Sequence, residues 1–304
     1  MPCYSPLHGY KSRLLTASGK RKIVFSAAAG YSDLAMTVPC GQCIGCRIDR
    51  SRQWALRCVH ESKLHIHNSF VTLTYDDDNL PLGHSLQKRD LQLFFKKLRK
   101  NYAPFRYFAC GEYGDQTRRP HYHIIFFGID FHEDRKKHST GKRGNPLYTS
   151  QTLQNAWPYG HSSVGEFNYA TAAYTARYIM KKQLGKDSAN RDAYTRFDSV
   201  TGELFQVTPE FSLMSRKPGI GTGWYEKYSS DAFPSDFLVH EGKKHPVPRF
   251  YFNKLEKEAP DVHQLLKTKR AHARKSDYAN NTPDRLYTRE EVKLSKIKQL
   301  TRDL

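Results

Sequence analysis

Residues 121–127 read His-Tyr-His-Ile-Ile-Phe-Phe. This short run of β-branched and aromatic residues has the composition of a strand. A strand repeats every two residues, so His121 and His123 project from one face and Tyr122 from the other. Two imidazoles held side by side can share one divalent ion. Glu112 lies just upstream, at the end of a second predicted strand running from Phe105 to Gly111. The segment GEYGDQTRRP reads as the turn between them, and a hairpin brings the Glu112 carboxylate towards the histidines. Two imidazoles and one carboxylate leave open coordination positions for a substrate. An isolated His-x-His is also an ordinary feature of strands, so the rest of the chain decides how it is read.

Ser69 to Tyr75 (SFVTLTY) predicts another strand, ended by DDDNLPLG. Residues 88–102 predict an amphipathic helix with Leu91, Phe94, Phe95 and Leu98 on one face. Residues 1–60 read as an irregular segment ending in a basic helix, with Ile48, Trp54, Leu56 and Val59 at helical spacing. Residues 130–150 read as a loop. A helix is expected from about Tyr169 to Leu184. Residues 185–230 read as loop-rich, with short strands near Leu204–Val207 and Phe211–Met214. Beyond about residue 255 the chain is polar, basic and weakly periodic, as expected for a helix or for a tail that orders on DNA.

Tyr174 and Tyr178 are four residues apart on the predicted helix, so their hydroxyls lie on one face, one turn apart. Lys181 and Lys182 continue that face. A phenol is a poor nucleophile at its ordinary pKa of about 10. A neighbouring cation favours the phenolate, and a metal polarises the phosphate it attacks. Tyrosines at this spacing also commonly pack in cores, so the His pair and the charge of the chain carry the functional reading.

Lys and Arg number 49 against 30 Asp and Glu, a formal charge of +19 over 304 residues. That excess argues against a neutral or acidic metabolic enzyme and favours a polyanion, nucleic acid before membrane. Arg47, Arg50, Arg52 and Arg57 crowd one segment, Lys96, Lys97, Arg99 and Lys100 another, and Arg118 and Arg119 precede the His strand. Such groups give affinity for phosphates without reading sequence. Arg118, Arg119, Arg47 and Arg50 are the expected DNA contacts. SRKPGIGTGWYEKY lacks the Lys-Ser/Thr ending of a phosphate-binding loop; Trp224 within it reads as core. No run approaches the roughly 18 apolar residues of a membrane span, and the N-terminus lacks the apolar core of a signal peptide.

Cys40, Cys43 and Cys46 fall within seven residues, with Cys3 as a fourth thiol. In a reducing compartment this spacing points to metal rather than to disulfides. Four thiolates would close a tetrahedral, structural zinc site. An iron–sulfur cluster uses similar spacing. His60, His65 and His67 are rival ligands by proximity. Cys58 and Cys110 read as core residues.

The combination resembles the HUH endonucleases that initiate rolling-circle replication. HYH preceded by GEYG, FVTLTY upstream and YTARYIMKK downstream carry the likeness. PCGQCIGCR, SRQWALRCVHE, NSFVTLTYDDDNLP, CGEYG, RPHYHIIFFG, AAYTARYIMKK and FSLMSRKPGIGTGWYEKY are similar to the initiators of microviruses, the gokushovirus branch in particular. The likeness spans roughly residues 1–230. It implies an α+β fold with a mainly antiparallel central sheet, the HYH strand inside it and the tyrosine helix packed across it. It implies that Glu112, His121 and His123 hold Mg²⁺ or Mn²⁺ against the scissile phosphate. Tyr174 or Tyr178 would attack phosphorus to give a 5′-phosphotyrosine and a priming 3′-OH; the other tyrosine would cut again, and the displaced strand would close into a circle. Lys181 or Lys182 would stabilise developing charge.

The expected organisation is a Cys-rich, zinc-holding module with a basic helix over residues 1–60, an endonuclease domain over 61–230 and a basic C-terminal segment over 231–304. The expected partners are single-stranded DNA, the viral origin, a host helicase and a host polymerase, with no membrane, in the host bacterial cytoplasm. A relaxase or transposase of the same class would use the same residues. A non-catalytic zinc-containing DNA-binding protein and a non-haem iron oxygenase are rivals from other classes.

Overall fold

Residues 7–38 are rich in Ser, Lys and Ala and show no apolar alternation, yet in the computed structural model they form three strands. These are β1 (Leu7–Leu15), β2 (Arg21–Val24) and β3 (Gly30–Val38). They make an antiparallel sheet in the order β2-β1-β3. This corrects the expectation of an irregular segment. The side chains of β1 and β3 are mostly exposed, so burial stamped no period-two pattern on the sequence, and the backbone ladder holds the sheet. The structure describes residues 3–17, 19–102, 104–114, 116–141, 144–181, 194–197, 201–276 and 278–299, without the side chains of 178–181 and 274–276. The chain divides into two units, Met1–Arg50 with Lys269–Thr301, and Ser51–Thr268.

α1 (Ile44–Ser62) follows, then β4 (Asn68–Thr74), α2 (Lys88–Asn101), β5 (Arg106–Tyr113) and β6 (Pro120–Phe127). β7 (Lys136–Thr140) and β8 (Pro146–Thr149) pair where a loop was expected. Every residue of β7 is exposed, which is why its sequence is polar throughout. α3 (Gln151–Ala156), β9 (Ser162–Glu166) and α4 (Tyr169–Lys181) come next. β10 (Thr195–Phe197) pairs with β11 (Leu204–Gln206), and β12 (Phe211–Met214) joins the main sheet. The last elements are α5 (Thr222–Tyr228), the hairpin β13 (Phe237–His240) and β14 (Lys243–Pro246), then α6 (Arg249–Glu258), α7 (Pro260–Ser276) and α8 (Pro283–Lys298). The polar C-terminal segment is therefore largely helical.

The second unit is built on a seven-stranded antiparallel sheet in the order β12-β5-β6-β4-β9-β8-β7. β6 is interior, between β5 and β4. Its period of two divides the core. Tyr122, Ile124 and Phe126 face α2, where Leu91, Phe94, Phe95 and Leu98 are all but fully buried with Trp157. Each such side chain stabilises by about 1.5–3 kcal/mol. Ile125 and Phe127 face the other way, against Ala55 and Cys58 of α1 and Ala172 and Ala176 of α4. Small residues on both helices let them approach the sheet closely. A separate cluster around Trp224, Tyr225, Tyr251 and Leu266 packs α5, α6 and α7. The sheet is thus covered by helices on both faces, an α+β architecture with the His strand inside it.

Candidate active site

Antiparallel register builds the site. Glu112 of β5 pairs directly with His121 of β6, and Thr72 of β4 lies opposite His123. Directly paired residues share a face, so one carboxylate and two imidazoles meet on the side covered by α4. Glu112 Oε1 lies 2.6 Å from His121 Nε2 and 2.9 Å from His123 Nε2. The remaining ring nitrogens are also engaged. His121 Nδ1 stands 3.1 Å from the Arg119 carbonyl, and His123 Nδ1 stands 3.1 Å from Thr72 Oγ1. Glu112 is 2% exposed. Burial opposes its ionisation, but the hydrogen bonds and charge of both imidazoles outweigh burial and hold it below the usual carboxylate range.

The donor set suits a divalent cation. A carbonyl can only accept, so His121 Nδ1 carries a proton. That tautomer leaves the Nε2 lone pair available to a cation shared with the carboxylate. The three ligand atoms lie within 4.8 Å of one another. Second-row hydrogen bonds to both Nδ1 atoms fix the rings, as is usual for metal-binding histidines.

α4 brings the first tyrosine to this point. Asn168 caps the helix, its Oδ1 accepting from Thr171 N at 2.9 Å, and α4 packs on β5, β6 and β12. Tyr174 is half-buried. Its ring stands edge-on to His123, with centroids 5.0 Å apart and planes at 83°, and near Phe70 at 6.4 Å. The backbone of Tyr178 and Lys181 continues the helix; their side chains, and all of Lys182, lie outside the described residues. Sequence reading missed Arg177, whose Cζ lies 5.6 Å from the centre of the Tyr174 ring. Its spacing of three residues from Tyr174 was the available signal.

The four cysteines of the first unit also converge, their sulfur atoms within 4.8 Å of one another. Backbone N–H groups point at the sulfurs: Tyr4 N to Cys43 Sγ at 3.3 Å, Cys40 N to Cys3 Sγ at 3.2 Å and Cys43 N to Cys40 Sγ at 3.2 Å. Burial raises the Cys43 thiol, but the N–H donors of Cys46 and Tyr4 outweigh it and bring it down to about 7. The four sulfurs, Cys3 included, are close enough to hold one metal ion in a tetrahedral thiolate site. The rival ligands are used elsewhere. His60 is buried against Trp224 and Tyr251, stacked on the first at 3.7 Å and hydrogen-bonded to the second at 2.9 Å. His65 pairs with Glu61. Cys58 and Cys110 are fully buried.

The basic residues have unequal fates. Arg118 is exposed with φ 53°, in the β5–β6 turn beside the His strand. Arg119 pairs with Asp77 at 2.6 Å and donates to Tyr75 O. Arg50 donates to Gly41 O at 3.4 Å, and Arg47 is half-buried. Arg57 is structural: it lies between Trp54 and Phe250 and donates to Ile220 O. The glycine loop is structural as well. Gly221 has φ 81°, its N–H donates to Glu61 Oε2 at 2.6 Å, and a Cβ there would collide with the Tyr251 hydroxyl.

Residues 68–183 match the family model of Replication-associated protein ORF2/G2P. The chain is 33% identical over 250 residues to Replication-associated protein VP4 of Bdellovibrio phage phiMH2K, covering 79% of this chain and 74% of that protein. It is 33% identical over 291 residues to Replication-associated protein ORF2 of Spiroplasma virus 4, covering 88% and 86%. Replication-associated protein ORF4 of Chlamydia phage 1 is 28% identical over 231 residues, covering 72% and 54%. No solved structure matches significantly. Among the described residues no helix is long and apolar enough to cross a membrane.

Proposed function

The chain belongs to the phage replication-associated proteins, and from that premise we propose that it nicks single-stranded DNA at the viral origin and later rejoins the displaced strand. The observation that carries this reading is the Tyr174 ring, 5.0 Å from the ring of a histidine that shares Glu112 Oε1 with a second histidine. A nucleophile-type phenol beside a His₂–carboxylate set suits phosphoryl transfer.

Glu112, His121 and His123 would hold Mg²⁺ or Mn²⁺. The ion, when bound, draws charge from the scissile phosphate and orients it. The Tyr174 oxygen attacks phosphorus in line. The tyrosine O–P bond forms, the bond to the 3′ oxygen breaks, and the departing oxygen takes up a proton to become a free 3′-OH. The 5′ end stays on Tyr174 as a phosphotyrosine. One ester replaces another, so no nucleotide cofactor is needed. Arg177 lies close enough to the Tyr174 ring to favour developing phenolate charge. Arg118, exposed beside the His strand, would hold the DNA backbone. Tyr178 would serve the second cut, with Lys181 or Lys182 near it, after which the new 3′-OH attacks the adduct and closes the circle. Arg47 and Arg50 would add phosphate contacts, and Cys3, Cys40, Cys43 and Cys46 would hold a structural Zn²⁺. A host helicase and a host polymerase would supply unwinding and synthesis in the host bacterial cytoplasm.

The test is a covalent-adduct assay. Single-stranded origin oligonucleotides labelled at either end are incubated with the full chain and Mn²⁺ or EDTA. Denaturing gels are run for wild type, Tyr174→Phe, Tyr178→Phe and the double variant. The expected adduct carries the downstream fragment, needs metal and vanishes in the double variant. Folded protein that binds origin DNA but forms no adduct with any divalent ion would overturn the reading in favour of a binding module.

A further inference from the structure

A second His₂–carboxylate cluster lies at the other end of β6, where neither the sequence reading nor the proposed chemistry uses it. His67 precedes β4, and Asp130 and His132 follow β6. Because β4 and β6 are antiparallel neighbours, with Asn68 opposite Phe127, the start of one meets the end of the other. His132 Nδ1 lies 2.7 Å from Asp130 Oδ1, and His67 Nδ1 lies 3.4 Å from Asp130 Oδ2. The two imidazoles stack, with centroids 4.5 Å apart and planes at 11°. One nitrogen of each ring and one carboxylate oxygen fall within 4.8 Å of one another.

We infer that His67, Asp130 and His132 form a second binding site for a divalent transition-metal ion, of the Ni²⁺ or Zn²⁺ class, distinct from the Glu112 site. Bonds of about 2.0–2.2 Å to a shared ion put its ligand atoms roughly 3 to 3.5 Å apart; the 3.4 Å between His67 Nδ1 and Asp130 Oδ2 falls in that window, and the 2.7 Å hydrogen bond of His132 to Asp130 Oδ1 would lengthen slightly to admit an ion. Imidazole donors favour transition metals over Mg²⁺.

The surroundings are those of a built site. Arg135 donates to the Asp130 carbonyl at 3.2 Å and lies 3.6 Å from Asp130 Oδ2, which fixes the carboxylate. The Arg135 side chain is in turn held over the Tyr148 ring. His132 N donates to Asp130 Oδ1 at 3.2 Å. Between the two ligands sits Phe131, buried at 2% exposure with φ 57°. A bulky residue in the left-handed region needs its flanks held. An ion on Asp130 and His132 would do that, and through His67 it would fasten the loop to β4. Both histidines are about half exposed, so the ion would keep open positions facing solvent.

Calorimetric titration with Ni²⁺ of the full chain, prepared with a single zinc equivalent held by the four cysteines and the remaining sites stripped of metal, tests this. The variants are His67→Ala/His132→Ala, His121→Ala/His123→Ala and the quadruple. Wild type is expected to bind about two equivalents, each double variant about one and the quadruple none, one ion per three-ligand set. Ni²⁺ should raise the melting temperature of His121→Ala/His123→Ala but not of the quadruple variant. The exposed His67 and His132 should be replaceable with little change in the metal-free melting temperature. Unchanged stoichiometry in His67→Ala/His132→Ala overturns the inference. Unchanged stoichiometry in His121→Ala/His123→Ala counts instead against the catalytic site, so the two failures are separable.

Discussion

The Tyr174 ring meets the His123 imidazole edge-on, with centroids 5.0 Å apart, although 50 residues of chain separate them. The contact exists because α4 lies across β6 on its histidine face. It puts a phenol beside the candidate metal ligands without making the phenol a core residue. Arg177 Cζ stands 5.6 Å from the centre of the same ring. Replacing Arg177 with Ala should slow adduct formation by roughly tenfold, the scale of one cation at a partly exposed aromatic. Mn²⁺ affinity should stay unchanged. Single-turnover rates at saturating DNA, set beside a Mn²⁺ titration, check both halves.

Thr72 reaches the candidate metal ligands through His123 Nδ1. Thr72→Val keeps the shape of the side chain and removes that hydrogen bond. Loss of such a second-row partner typically costs about 10- to 100-fold in metal affinity or activity. Mn²⁺ titration followed by electron paramagnetic resonance should show weakened binding, with origin DNA binding retained. A variant that loses neither metal affinity nor adduct rate would free His123 from dependence on Thr72.

The four-cysteine site predicts a pattern of alkylation. Zinc-loaded protein should resist iodoacetamide at Cys3, Cys40, Cys43 and Cys46. After chelation, Cys43 should react first near neutral pH, because its thiol is brought down to about 7 and the thiolate is the nucleophile. Its rate should fall as the pH is lowered below that value. Buried Cys58 and Cys110 should stay unmodified until the chain unfolds. Peptide mapping by mass spectrometry reads all six positions.

Glu61 joins three elements: it pairs with Arg106 of β5, accepts from Gly221 N and lies 3.6 Å from His65. Burial opposes its charge, but the hydrogen bonds of His65 and Gly221 and the Arg106 charge lower its pKa below the usual carboxylate value. Glu61→Gln should therefore cost about 3 kcal/mol, as for other broken buried pairs. Because the folded pKa lies below the unfolded value of about 4.3, this contribution is complete above that pH and disappears as acid protonates the folded carboxylate. Chemical denaturation at pH 7 should separate wild type from variant. The two should converge as the pH falls below about 4.

The sequence by itself determined the parts whose pattern is imposed by burial or by chemistry. The apolar face of Leu91, Phe94, Phe95 and Leu98 marked α2, and the β-branched and aromatic run from Ser69 to Tyr75 marked β4. His121 and His123 had to share a face because a strand repeats every two residues, and three cysteines within seven residues announced a common site to which Cys3 offered a fourth thiol. Tertiary structure decided what such patterns do not encode. β1, β3 and β7 expose most of their side chains, so nothing in their sequences alternates, and only backbone pairing reveals them. The basic residues looked alike in the chain, yet Arg57 is packed between two aromatic rings while Arg118 stands free of the core. The register that sets Glu112 opposite His121, the crossing of α4 that sets Tyr174 against His123, and the meeting of His67 with Asp130 and His132 are all long-range. Local periodicity fixes which way a side chain points along its own element; which partner it finds there depends on how the elements pair.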